Sequence, residues 1–201
     1  MATMLWLLRV VFPQWIVIFY PGVFVFWLLM HTNIERLRRA GKKAYWVAAL
    51  AWLITSGPSL FFHQEIFSVR WPTPAGFSAI FATFGIVALI FAVVYLSRAG
   101  KQISLRTMVG LPEIEPHKNN QAVLTAGVYS KTRNPIYFAH WLLVFAAAAL
   151  ADFAANWILF VLDCLVLPLL IHVEERELLS RYGSDYKAYM RRVPRFFPQL
   201  R

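Results

Sequence analysis

The chain has 201 residues, of which 59% are hydrophobic and 15% are charged, and its formal net charge is +10. A soluble domain usually has about 45–50% apolar and about 25% charged residues, so this composition excludes an ordinary soluble fold. The single cysteine, Cys164, excludes a disulfide framework within one chain. No cysteine and histidine spacing suits a metal ion, so we expect no metal site.

Five predominantly apolar segments follow one another along the chain. Most of them approach or exceed the roughly 20 residues that a helix needs to cross a bilayer. The fourth is the shortest and would extend only about 22 Å as a helix. The pattern predicts an all-α polytopic membrane protein with about five transmembrane helices, and Gly57-Pro58 should kink or end the second. The segments are Val10–Met30, Ala44–Phe62, Ala75–Leu96, Ile136–Leu150 and Phe153–Val173.

Basic residues are concentrated in three of the polar segments. All lysines and arginines except Arg9 and Arg70 lie in segments 31–43 and 97–135 or after Val173. With five spans these segments share one side of the membrane, and the positive-inside rule makes that side cytoplasmic. We therefore expect an external N-terminus, a cytoplasmic C-terminus and attraction to anionic lipid headgroups. No basic face belongs to a soluble domain, so we do not expect nucleic-acid binding.

The polar segments also suggest two functional parts. Residues 1–96 resemble a three-helix transmembrane scaffold, whereas residues 97–201 contain a long cytoplasmic loop, a helical hairpin and C-terminal helices that should form the binding region. A loop as long as 97–135 is often functional. After Val173 we expect an amphipathic cytoplasmic helix that breaks at Gly183, followed by a short helix through about Arg192.

The hairpin brings distant polar residues to one membrane face. A turn at Ala151–Asp152 makes the last two apolar helices antiparallel, so residues before and after them meet at the same depth. Two interpretations remain open: a site for a cationic ligand, or an Arg133–Glu174 ion pair that only locks the hairpin. Gly127 and Pro135, which permit close backbone approach and helix entry, favour the ligand site. The converging residues are Tyr129, Arg133, Asn134, His172, Glu174 and Glu175.

His140 and Asp163 lie at one depth inside the hairpin. An ionisable residue within the membrane is a candidate functional group. A hydrogen bond between His140 and Asp163 that holds the two helices together explains both residues more simply, so neither enters the predicted site.

Two ordered motifs carry a family resemblance. Gly127-x-Tyr129 is followed by Arg133-x-Pro135-x-Tyr137, an apolar stretch and then Glu174-Glu175. This order resembles the membrane methyltransferase superfamily, which contains isoprenylcysteine carboxyl methyltransferases and phospholipid methyltransferases. The resemblance covers roughly 124–198, because the tail through Pro198 is also similar to the family ending.

The resemblance implies a function and a set of site residues. The methyl donor would be S-adenosylmethionine, bound at the cytoplasmic face, and a lipophilic acceptor would enter between helices from the bilayer. Arg133 and Glu175 would lie nearest the acceptor as catalytic residues. The cofactor-binding residues would be Leu124, Gly127, Tyr129, Asn134, Pro135, Tyr137 and Glu174.

Asn134 departs from the family pattern, which usually has histidine at this position. An asparagine amide cannot take up a proton near neutral pH, so a carboxylate or thiol acceptor is slightly favoured over an amine. Two alternatives follow from the same residues. One is a non-catalytic membrane scaffold that keeps the fold, and the other is an NADPH-dependent reductase of the sterol type.

Overall fold

The computed structural model describes residues 2–41, 43–71, 77–104, 107, 114 and 122–199, and its regular elements are helices. A π-helical segment, Leu7–Val11, joins α1 to α2, and a 3-10 turn, Gly127–Ser130, precedes α7. The α-helices are α1 (Ala2–Trp6), α2 (Phe12–Thr32), α3 (Ile34–Ala40), α4 (Lys43–Phe61), α5 (His63–Ser68), α6 (Phe77–Gly100), α7 (Pro135–Leu150) and α8 (Ala154–Arg192).

Helices long and apolar enough to cross a membrane confirm the predicted polytopic fold. Within the described ranges there are four of them: Thr3–Thr32, Lys43–Phe61, Ser78–Gly100 and Ala154–Arg192. The predicted fourth segment forms α7, whose 16 residues extend only about 24 Å. Many large apolar side chains on these helices are exposed, as is expected for surfaces that face lipid.

Small residues allow α6 and α7 to pack closely. Gly85, Ala88 and Ala92 recur at helical spacing on α6 and are buried. They face α7, where Ala139 and residues 146–149 are also buried. A Cβ atom on Gly85 would come within 2.8 Å of the Leu150 side chain. Close approach through small residues is the usual way that helices associate in lipid, and here it supports α7 along its length.

The predicted hairpin is present, and its turn lies where the sequence indicates. α7 ends at Leu150 and α8 begins at Ala154, with the exposed Asp152 between them. The carbonyl of Asp152 accepts a hydrogen bond from the Trp71 amide at 2.8 Å. The Arg70 guanidinium lies 4.4 Å from the centre of the Phe153 ring. These contacts join the turn to the segment that follows α5.

Two predicted helix boundaries differ from the structure. The amphipathic segment after Val173 is not a separate helix, because α8 continues through it to the expected break, where Gly183 has φ +54° and ψ −122°. For Gly57-Pro58 the sequence predicted either a kink or an end of the second span, and the end is not observed, because α4 continues through Pro58 to Phe61. The stretch from Pro112 to Asn120, which contains the prolines and acidic residues of the long polar loop, lies largely outside the described residues. Within it only Ile114 is described, and its side chain is buried.

Candidate functional site

A pocket of about 470 Å³ lies where α2 and α6 end and α7 begins. This size is within the roughly 300–1,000 Å³ typical of small-molecule sites. Its wall is apolar near α6 and the start of α7, and it carries tyrosines and a carboxylate along α8. The lining residues are Trp27, Leu96, Ile103, Thr107, 122–124, Tyr129, 133–137, His140, Glu174, Leu178, Arg181, Tyr182, Tyr186 and Tyr189.

Glu174 supplies the carboxylate of the pocket wall. Its Oε2 atom lies 3.6 Å from Nε2 of His31 on α2, and the side chain accepts a hydrogen bond from Tyr137. Oε2 itself accepts no hydrogen bond within the described part of the chain. The side chain keeps 24% of its surface exposed. A carboxylate that lines a pocket and keeps part of its surface exposed favours a cationic or hydrogen-bond-donating ligand.

Tyrosines form the wall beside Glu174. The hydroxyl of Tyr189 donates a hydrogen bond of 2.6 Å to the carbonyl of Tyr129, which joins the far end of α8 to the 3-10 turn. Burial raises the pKa of Tyr129 to about 12, and the charge of Glu174 contributes to the rise. The phenol is therefore a neutral hydroxyl at physiological pH, and the residue lines the pocket.

Arg133 is held by residues behind the pocket wall. Its Nε atom donates to Oε1 of Glu175 at 2.8 Å, and Nη1 donates to the carbonyls of Met190 and Val193, both at 2.8 Å. The Arg133 and Glu175 side chains are only 8% and 6% exposed. The ion pair considered from the sequence, Arg133–Glu174, is thus replaced by Arg133–Glu175. The guanidinium closes the C-terminal end of α8, whose last carbonyls have no partner inside the helix.

Asn134 belongs to the same network. Its Nδ2 atom donates to Oε1 of Glu175 at 3.2 Å and to the carbonyl of Arg195 at 2.8 Å. Both partners are acceptors, so they determine which end of the amide carries nitrogen. Arg195 adds a second ion pair to Glu175, with Nε 3.0 Å from Oε2. Glu175 is therefore the centre of a network that Arg133, Asn134 and Arg195 complete.

The C-terminal segment, residues 193–199, is fastened to the residues that precede α7. The Arg133 amide donates to the Pro194 carbonyl at 3.0 Å, and the Gln199 amide donates to the Lys131 carbonyl at 2.9 Å. Thr132 is fully buried and donates to the Phe196 carbonyl at 2.8 Å. These bonds join the C-terminal segment to the loop that contains Arg133 and Asn134, two residues of the pocket lining.

The predicted site residues divide between the pocket and the network behind it. Leu124, Tyr129, Asn134, Pro135 and Tyr137 line the pocket, as do Arg133 and Glu174. Gly127 and Glu175 do not line it. Gly127 has φ +58°, and a side chain there would overlap the Gln102 amide. The close backbone approach expected at Gly127 is therefore to the Gln102 side chain and not to the pocket.

Two sequence interpretations are wrong. His172 is exposed and lies outside the pocket lining, so it does not converge with the other residues. Asp163 is fully buried, but neither carboxylate oxygen has a hydrogen-bond partner in the described ranges, so the expected bond to His140 is not formed. His140 instead meets the Tyr20 ring edge to face, with centroids 5.7 Å apart.

Sequence reasoning missed residues that α2 and the later part of α8 contribute. Trp27 lines the pocket and stacks on His31, with ring centroids 5.5 Å apart. Arg38 on α3 donates a hydrogen bond of 2.6 Å to Glu177 on α8. This bond joins the segment between the first two spans to α8. The available signal was spacing: Trp27 and His31 lie one turn apart near the polar end of an apolar helix.

Comparison with known proteins gives one family and one relative. The sequence model of the family described as Phospholipid methyltransferase matches residues 80–185, just over half of the chain. The chain is also 32% identical, over 84 residues, to the cobalt-zinc-cadmium resistance protein CzcN of Cupriavidus metallidurans. That match covers 41% of this chain and only 38% of the relative's length. No solved structure matches. The match spans α6, α7 and most of α8, which supply much of the pocket wall, and on this ground the chain belongs to the phospholipid methyltransferase family.

Proposed function

We propose that the protein transfers a methyl group from S-adenosylmethionine to a lipophilic small molecule or lipid. One observation carries this proposal: a single pocket has a carboxylate and tyrosines on one side and an apolar wall on the other. Such a pocket suits a polar, cationic donor beside an apolar acceptor. Membership of the phospholipid methyltransferase family supports methyl transfer in general.

The polar side would hold the cofactor. Glu174, whose side chain lines the pocket and keeps 24% of its surface exposed, suits the ammonium group or hydroxyls of S-adenosylmethionine. Tyr129 and Tyr137 would pack against it, and the loop from Leu124 through Gly127 would close over it. Asn134 and Pro135 would shape the entrance of α7.

The apolar side would hold the acceptor. Leu96, Ile103 and Ile136 contribute aliphatic surface there, close to the end of α6. An acceptor could enter from the bilayer and keep its apolar part among these residues. Arg133 would form the wall nearest its reactive group, and Glu175 would orient Arg133 from behind. The distribution of basic residues supports a site at the cytoplasmic face.

The chemistry requires little from the protein beyond alignment. The acceptor's lone pair attacks the methyl carbon, and the bond to the sulfonium sulfur breaks with its electrons left on sulfur, which gives neutral S-adenosylhomocysteine. Proximity and in-line orientation supply much of the acceleration, and a pocket that excludes water leaves the nucleophile poorly hydrated. An ionised carboxylate or a thiol suits this site better than a protonated amine, because Asn134 cannot accept a proton.

Direct binding tests the proposal. Isothermal titration of the detergent-purified protein with S-adenosylhomocysteine should show binding, whereas titration with NADPH should not. Glu174→Ala should weaken S-adenosylhomocysteine binding at least tenfold, and Glu35→Ala, at an exposed position on α3, should leave it unchanged. Failure to bind S-adenosylhomocysteine at millimolar concentration would favour the non-catalytic scaffold, and binding of NADPH alone would favour the reductase.

A further inference from the structure

The pocket contains one imidazole that the proposed cofactor contacts do not use. His140 lines the pocket and is half-buried. It lies on the same face of α7 as Ile136 and Tyr137, which are four and three residues earlier. Its Cα atom is about 8 Å further along the helix axis than that of Pro135, at 1.5 Å per residue. His140 therefore lies further along α7 than Pro135 and Tyr137, which would help to hold the cofactor.

The nitrogens of His140 have no hydrogen-bond partner among the residues that the structure describes. No hydrogen bond or ion pair to this side chain occurs among the described residues, and its one specific contact is with the edge or face of the Tyr20 ring. The other charged groups of the wall are engaged: Arg133 with Glu175, Arg181 with Glu177, and Glu174 with Tyr137.

We propose that His140 is the general base for the methyl acceptor, and that the reacting group of this acceptor is a thiol. The inference rests on the proposed function. The thiol proton passes to a ring nitrogen of His140 while the acceptor sulfur forms its bond to the methyl carbon. The donor carbon–sulfur bond breaks with its electrons left on the donor sulfur, and the imidazolium then releases the proton to water.

A thiol matches this base better than the other common acceptors do. An ionised carboxylate has no proton to lose and needs no base. The ordinary pKa of a thiol is about 8.5, which is the lowest among the acceptors that must lose a proton, so a thiol demands the least of a base. An alkylammonium, near 10.4, is a poorer match. Apolar neighbours around His140, such as Ile136, suit a thiol more than a charged group.

Other titratable groups face the same end of the pocket and must be considered in any pH experiment. Tyr20 on α2 contacts the ring of His140, and Asp163 on α8 acts electrostatically on Tyr20. Glu174 on α8 and Arg133 before α7 lie on the same pocket wall. The pH effect of His140 is therefore obtained by comparing the pH dependence of the methylation rate in the wild-type protein and in a variant at position 140.

The experiment uses four acceptors with the same apolar chain: dodecanethiol, dodecanol, dodecylamine and dodecanoate, each with radiolabelled S-adenosylmethionine. The wild-type protein should methylate dodecanethiol fastest. His140→Gln, which keeps a polar side chain but cannot take a proton, should lower this rate about 100-fold at pH 7, the range for loss of a general base. The loss should shrink at higher pH as the thiol ionises without help. His63→Gln, at an exposed position on α5, should behave like the wild type.

Binding of S-adenosylhomocysteine separates the two proposals. If His140→Gln binds it as the wild type does and methylates dodecanethiol at the wild-type rate, His140 is not the base. A pH-independent loss accompanied by weaker binding would give His140 a structural part and also overturn the proposal. A wild-type protein that binds S-adenosylhomocysteine but methylates only dodecanoate, or none of the four, would refute the thiol assignment. Absence of binding would refute the proposed function itself.

Discussion

Glu174 and Glu175 are neighbours in the sequence, yet replacement of Glu175 should mainly lower stability, whereas replacement of Glu174 should mainly weaken ligand binding. Glu175→Ala removes the partner of Arg133, whose side chain is 8% exposed. Removal of one partner of a buried ion pair costs about 3–5 kcal/mol. The pair with Arg195 adds less than about 1 kcal/mol, because the Arg195 side chain is 41% exposed. Arg133 keeps the carbonyls of Met190 and Val193, so we expect the lower end, about 3 kcal/mol.

Glu174→Ala removes much less stabilisation. The side chain loses the hydrogen bond from Tyr137, which is worth about 1 kcal/mol, and a long contact of 3.6 Å with His31. At about 2–4 °C per kcal/mol, Glu175→Ala should lower the unfolding temperature by roughly 6–12 °C, and Glu174→Ala by no more than about 4 °C. Binding should show the reverse order, because only Glu174 lines the pocket.

The assay is thermal unfolding in one detergent, followed by tryptophan fluorescence, with S-adenosylhomocysteine titration of each variant at 20 °C. Glu35→Ala serves as the control for loss of an exposed carboxylate on another helix. If Glu175→Ala unfolds at the wild-type temperature and no longer binds the ligand, Glu175 acts in binding. The assignment of a stabilising role to its network would then be wrong. Equal destabilisation by both variants would also contradict the assignment of Glu175 to stability and of Glu174 to binding.

Further predictions concern single contacts around the pocket. Tyr189→Phe removes the 2.6 Å hydrogen bond to the Tyr129 carbonyl, and should cost about 1 kcal/mol of stability, or a few degrees in the same unfolding assay, while S-adenosylhomocysteine affinity falls severalfold. Gly127→Ala should cost about 1–2 kcal/mol, because φ is +58° and the new Cβ would overlap the Gln102 amide. Gly57→Ala in α4 meets no neighbour within 4 Å and should be neutral or stabilising, by up to about 1 kcal/mol.

The residues of α7 and α8 that lie level with each other could be predicted from the sequence, whereas the direction of each side chain could not. An antiparallel hairpin with a turn at Asp152 places the start of α7 level with the middle of α8, as the structure confirms. One residue along a helix rotates the side chain by about 100°. Glu174 and Glu175 are therefore equivalent in depth, but one faces the pocket and the other faces Arg133. Only the packing of α7 on α8 decides between them.

Contacts from distant segments were also outside the reach of pattern analysis. Residues 193–199 have no helical periodicity, and their hydrogen bonds reach back more than 60 residues to Thr132 and Asn134. The apolar pattern of α2 does not indicate that Trp27 lines the pocket or that His31 contacts Glu174. Helix existence follows from local composition, but partners across the bundle depend on how the helices pack.

The network changes the meaning of Asn134, the residue that departs from the family pattern. Its amide nitrogen has two hydrogens, and each has an acceptor: Glu175 at 3.2 Å and the Arg195 carbonyl at 2.8 Å. A neutral histidine has one ring N–H and could satisfy only one of these acceptors. Asparagine is therefore suited to joining the C-terminal segment to Glu175. This structural role needs no proton uptake. If the reaction needs a base, it must be supplied elsewhere on the pocket wall, and His140 is the imidazole that the described lining offers for it.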